Sequence, residues 1–66
     1  MKAIDFLRIA VEHMKDKPYF NTFKEYLKTA KYEYGMDFND YYSNMVKKAS
    51  EIASEAEGKE INFFEM

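Results

Sequence analysis

The sequence predicts an all-α fold: a small three-helix domain with a docked C-terminal tail, assembled as an oligomer. Three observations carry this expectation. Apolar residues recur at spacings of three and four in three separate segments, which places them on one face of a helix. Two glycines and one proline in 66 residues leave little to interrupt helices. Apolar content of 47%, aromatic content of 18% and a net charge of −2 separate the chain from disordered sequences.

The length allows one domain, spanning residues 1–66. A core this small leaves roughly 3–5 kcal/mol of net stability unless something staples it. The chain has no cysteine, so neither disulfides nor a thiolate zinc site can act as the staple. Good helix packing, self-association or a bound partner must do so instead.

The first helix is expected over residues 2–16. Ile4, Leu7, Val11 and Met14 form one apolar face. Asp5, Arg8, Glu12 and Lys15 form a narrow polar stripe that alternates in sign, each neighbouring pair adding ~0.2–0.5 kcal/mol. Phe6, Ile9 and Ala10 fill the space between, so the helix is apolar around more than half its circumference. Such a helix requires cover on two sides. Self-association through Phe6, Ile9 and Ala10 is the expected solution.

Pro18 biases Lys17 away from helical geometry and ends this segment. Tyr19 and Phe20 are then expected in a short connection. Thr22-Phe23-Lys24-Glu25 matches a capping box, which predicts a second helix over 22–34. Its inner face is Phe23, Leu27, Ala30 and Tyr34, with Gly35 supplying the left-handed residue past its end.

The third helix is expected over 38–57. Asp37 or Asn39 caps it, Asp40 suits the dipole of the first turn, and Gly58 stops it. Met45, Ala49, Ile52 and Ala56 face inward with Ala53 beside them; the alanines admit a close neighbouring backbone. Glu55 and Glu57 oppose the dipole, so the last turn is expected to fray. In the tail, residues 59–66, Ile61, Phe63 and Phe64 are too apolar for water and are expected to dock.

No constellation for catalysis or metal binding emerges. A calcium loop starting at Asp37 needs glycine at its sixth position and glutamate at its twelfth, where Tyr42 and Lys48 stand. The single histidine, His13, cannot pair with another as zinc helices require, and reads as an edge-of-core residue. The two glycines are too far apart for a phosphate loop. Ser43, Ser50 and Ser54 lack a nearby base and the strained turn of a serine nucleophile. The expectation is a non-enzyme without cofactor or metal. No stretch approaches the ~20 apolar residues of a membrane span, and no charged-then-apolar leader opens the chain. A cytoplasmic protein is expected, with no membrane partner.

The distinctive stretch is Tyr32–Tyr42, with five aromatics, three acids and no base in eleven residues. Charge is also split: residues 1–34 carry +2 and residues 35–66 carry −4. A small bundle cannot internalise every tyrosine, and tyrosine is enriched at binding hot spots. Acids interleaved with tyrosines suit a basic groove. Tyr34, Asp37, Asp40, Tyr41 and Tyr42 are therefore the candidate partner-binding residues. In composition the chain resembles the small inhibitors that phages and mobile elements direct against host enzymes. That resemblance implies an acidic interaction protein blocking a basic or nucleic-acid-binding surface of a host protein. The alternative is a homo-oligomer that binds a small ligand such as a nucleotide between subunits. There Tyr26 would stack on a base, with Lys24, Lys28 or Lys31 near its phosphates. Direct nucleic-acid binding is not expected of a chain with net negative charge.

Overall fold

A computed structural model describes residues 2–65; Met1 and Met66, the two ends of the expected domain and tail, lie outside the described residues. The described residues form three helices and no strand: α1 (Ala3–Met14), α2 (Phe20–Thr29) and α3 (Phe38–Glu57). A single 3₁₀ turn, Phe63–Glu65, follows.

α1 starts where Asp5 reaches back to accept a hydrogen bond from the Lys2 amide at 3.1 Å. The Ala3 amide donates to Asn39 Oδ1 at 3.0 Å, so a side chain of α3 satisfies a free amide of α1. α1 ends at Met14, two residues short of expectation, with Lys15–Lys17 forming a turn ahead of Pro18.

α2 begins earlier than its sequence cap implied. The amides of Phe20, Asn21 and Thr22 bond to the carbonyls of Lys17, Pro18 and Tyr19 at 3.1, 3.2 and 3.0 Å. Proline is favoured in a first helical turn, because its φ is preset and its missing N–H is not needed there. Pro18 sits in the turn that leads into α2, its carbonyl accepting from the Asn21 amide, and Thr22 lies inside the helix rather than capping it. α2 stops at Thr29, whose hydroxyl donates to the Tyr26 carbonyl at 2.8 Å; Ala30 is already extended, with ψ 124°. Residues 30–37 become a connector. Gly35 does adopt positive φ, +88°, but in a turn closed by Met36 N–H donating to Glu33 C=O at 3.0 Å.

α3 keeps its expected bounds. Asp37 is its N-cap and accepts from the Asn39 amide at 3.4 Å; Gly58, with φ +68°, closes its other end. The Lys59 amide bonds back to the Ser54 carbonyl at 3.2 Å, which occupies a free carbonyl of the last turn.

α1 and α3 run parallel: Ala3 meets Asn39 at one end, and His13 meets Glu57 at 3.1 Å at the other. α2 runs antiparallel to α3, with Tyr19 beside Glu57 and the Tyr26 ring beside Lys48. Ala10, Ala49 and Ala53 are fully buried, which lets the helices approach closely, and Phe23, Val46 and Met14 fill the centre.

The buried face of α1 is Ala3, Ala10 and Met14. Ile4, Leu7 and Val11, expected at the centre, flank that face and are only half-buried. On α3, Val46 joins Met45, Ala49, Ile52 and Ala53 inside, whereas Ala56 is exposed. On α2, Phe23 is buried and Leu27 half-buried.

Residues 61–65 pack against both α1 and α3. Phe63 is 0% exposed, its ring 5.4 Å from that of His13, and Phe64 meets Phe6 at 5.3 Å. The Phe63 amide donates to Ser50 Oγ at 3.0 Å. Ser54 Oγ accepts from the Ile61 amide at 2.8 Å and donates to the Ile61 carbonyl at 3.0 Å.

Candidate functional site: an acidic aromatic corner

The connector and the first turns of α3 form one corner. Tyr32 stacks on Phe38 at 4.6 Å and meets Tyr41 edge-on at 5.5 Å. Its hydroxyl donates to the Met36 carbonyl, closing the loop around Gly35. Tyr41 in turn meets Tyr42 at 5.5 Å. Paired aromatic rings of this kind add about 0.5–1.5 kcal/mol each beyond their burial, so the corner is held in one shape despite its exposure.

The candidate partner-binding residues divide between two sides of this corner. Tyr34, Asp37 and Asp40 share an open depression of about 680 Å³ with Glu33, Ser43 and Lys47. Tyr34 is fully exposed at the tip. No hydrogen bond or ion pair among the described residues engages the carboxylates of Glu33 or Asp40, whereas Asp37 is committed to its cap. Three acids therefore face one base, Lys47, across this depression.

Tyr41 and Tyr42 do not join them. Both are half-buried, and Tyr42 lines a different, mostly apolar depression with Lys2, Ile4 and Phe38. The helical period separates the two sets: Asp40 and Asn44 point one way, Phe38 and Tyr42 another. Sequence reasoning misses Glu33, Lys47 and the exposed Phe38, which is 61% accessible. For Lys47 and Phe38 the signal lies in the same helical period, once α3 is placed; Glu33 stands in the connector, where no period applies.

The residues proposed for a small ligand are scattered. Tyr26 has Phe23 stacked on it at 6.1 Å, and Lys48 Nζ lies 5.8 Å from its ring centre. Lys24 sits over the Phe20 ring at 5.7 Å, and Lys28 pairs with Glu25 at 3.2 Å. Lys31 lies beyond the end of α2. Tyr26 is half-buried, with Phe23 and the Lys48 ammonium both beside its ring. The face expected for self-association is partly covered within the chain, Phe6 and Ile9 remaining half-buried. Ala10 is fully buried, Phe6 packs on Phe64, and Ile9 packs against the core.

At the opposite end of the bundle, Glu57 Oε2 accepts from the Tyr19 hydroxyl and from His13 Nε2. Burial, and then this bond, push the Tyr19 hydroxyl up to about 12, and the same two donors hold Glu57 below the usual carboxylate range. Glu57, expected only to fray its turn, ties three helices together. A tyrosine driven away from ionisation is the reverse of an activated base or nucleophile, so the trio acts as a clamp. Among the described residues, no group of three His, Cys, Asp or Glu side chains can hold a metal ion. Nor is any described helix long and apolar enough to cross a membrane.

Comparison with protein families, curated proteins and solved structures finds no match. The class defined by this geometry is a small all-helical protein with an acidic, aromatic corner.

Proposed function

We propose that the chain is a small acidic, non-enzymatic interaction protein that covers a basic surface of a host protein. A nucleic-acid-binding groove is the natural target, as for the inhibitors of phages and mobile elements. One observation carries the reading: Glu33 and Asp40, free of internal partners, flank the projecting ring of Tyr34 on a corner stiffened by the Tyr32–Phe38 stack. Tyrosine supplies contact area at low entropic cost, and unpaired rim carboxylates steer the approach of a basic partner. Binding energy is not spent on ordering the loop, because the stack and the Asp37 cap order it beforehand. In this reading the tail is structural rather than an anchor for another chain, since Phe63 is already enclosed.

The test compares the parent with the Glu33→Lys/Asp40→Lys variant, which keeps the Asp37 cap. Both are used to capture proteins from a host extract, and the captured protein is then titrated against each at several salt concentrations. The parent is expected to bind more weakly as salt rises, and the variant to lose binding at every salt concentration, with unchanged circular dichroism. Equal binding by the two proteins refutes the role of the corner.

A further inference from the structure

The tail covers only one flank of α1. On the other flank Ile4, Leu7 and Val11 remain half-buried and line an open groove of about 480 Å³ with Arg8 and Glu12. A second open depression, lined by Lys2, Phe38 and Tyr42, adjoins it at Ile4. At 100° per residue the three aliphatic residues fall within about 60° of arc, and Asp5, Arg8, Glu12 and Lys15 occupy the adjoining ~80°.

The charges beside the groove identify what covers it. Turned end for end about a two-fold axis at residue 10, the stripe is its own complement: Arg8 meets Glu12 of the second copy, and Asp5 meets Lys15. Both contacts occur twice, as a two-fold interface requires. A parallel arrangement instead sets Arg8 on Arg8 and Glu12 on Glu12. Under the same reversal Leu7 falls within two residues of Val11 of the second copy, while Ile4 lies at the rim, opposite Asp16. Glu12 and Lys15 are exposed and pair only with each other, at 2.9 Å, so exchanging that contact for one across the interface sacrifices little.

We propose that the Ile4–Leu7–Val11 face of α1 binds a second copy of this chain in antiparallel fashion, with the Asp5–Arg8–Glu12–Lys15 stripe setting the register. This interface uses none of Glu33, Tyr34 and Asp40, which line the other side of the corner. Because α1 and α3 are parallel, it leaves the two corners at opposite ends of the dimer.

Charge reversal separates this arrangement from others without touching the core. Arg8→Glu and Glu12→Arg are each made alone, combined in one chain, and mixed as the two single variants. Association is measured by analytical ultracentrifugation through the micromolar range, with circular dichroism to verify folding. The parent is expected to dimerise. Each single variant should self-associate about tenfold more weakly, since two symmetry-related attractions become repulsions. The combined variant should recover, because it restores opposite signs at the two positions. The mixture should form a heterodimer: the Arg8→Glu chain is acidic at both positions, the Glu12→Arg chain basic at both, and each acid then faces a base. A monomeric parent overturns the proposal, as does a single variant that dimerises like the parent. A mixture no tighter than its components overturns the antiparallel register.

Discussion

Replacing Phe63 tests whether residues 59–65 hold the bundle together. Its side chain is fully enclosed, one of the two largest in that condition, and it packs between α1 and α3 beside His13, its amide bonded to Ser50. Removing a buried phenylalanine side chain to alanine costs about 3–5 kcal/mol, from lost transfer energy and from the cavity left behind. The whole chain is expected to hold only ~3–5 kcal/mol. Phe63→Ala should therefore be largely unfolded at room temperature. Phe63→Leu keeps most of the volume and should cost about 1–1.5 kcal/mol, lowering the melting temperature by roughly 4–8 °C per kcal/mol. Ser54→Ala strips the partner from both the amide and the carbonyl of Ile61, which are part-buried, and should cost about 1–2 kcal/mol. Far-UV circular dichroism during heating and urea titration, at one fixed protein concentration, reads all three. The order expected is Phe63→Ala, then Ser54→Ala and Phe63→Leu close together, then parent. If Phe63→Ala melts with the parent, the three helices stand without the tail, and the stabilisation argued from its enclosure is wrong.

The Glu57 clamp responds to pH in two windows. A carboxyl held below its ordinary 4.5 contributes stability that is present above that value and lost as pH falls through the folded value. Glu57→Gln should therefore melt below the parent at neutral pH, with the gap closing in acid. The Tyr19 hydroxyl, raised from 10 to about 12, contributes in the opposite sense. Its proton stays on in the folded state after the unfolded chain has released it, so stability should decline between pH 10 and 12. Tyr19→Phe should flatten that alkaline limb, and an unchanged limb would assign the decline to other groups. Asp37→Ala should cost about 1 kcal/mol through its lost cap, read as a lower urea midpoint with unchanged slope. Gly35→Ala meets no atom within 4 Å, so its cost of about 1 kcal/mol arises only from φ +88°; a larger loss would show that the turn supports the core.

Local signals were legible where they acted within a few residues. Asp37 before an apolar period, Gly58 after it and Pro18 between two periods each act through their own backbone, by accepting an amide, adopting positive φ or presetting φ. α3 was therefore recognisable with its bounds, and the three helices and the class of fold with it. Even the reading of Gly35 was half legible: its need for positive φ is a property of the residue, although it serves a β-turn and not the end of α2. The corner residues were legible as a stretch, but not as two surfaces.

Tertiary structure decided what depended on competition between distant groups. Thr22 and Glu25 form a plausible cap on their own, yet α2 begins at Phe20, with Phe23 in the core shared with the other helices and Phe20 packed against it. α1 is apolar over most of its surface, so its own period cannot say which side faces inward. The small side chains of Ala3 and Ala10 win because they let α3 approach, and the larger ones are left to the flanks. One flank receives Phe64, and the other stays open at Ile4, Leu7 and Val11. Glu57 has an unfavourable dipole position in its own helix and becomes a clamp only because α1 and α2 bring His13 and Tyr19 to it. Spacing along the chain encodes hydrogen bonds and backbone angles within one segment; burial is shared among segments, and that sharing exists only once they have met.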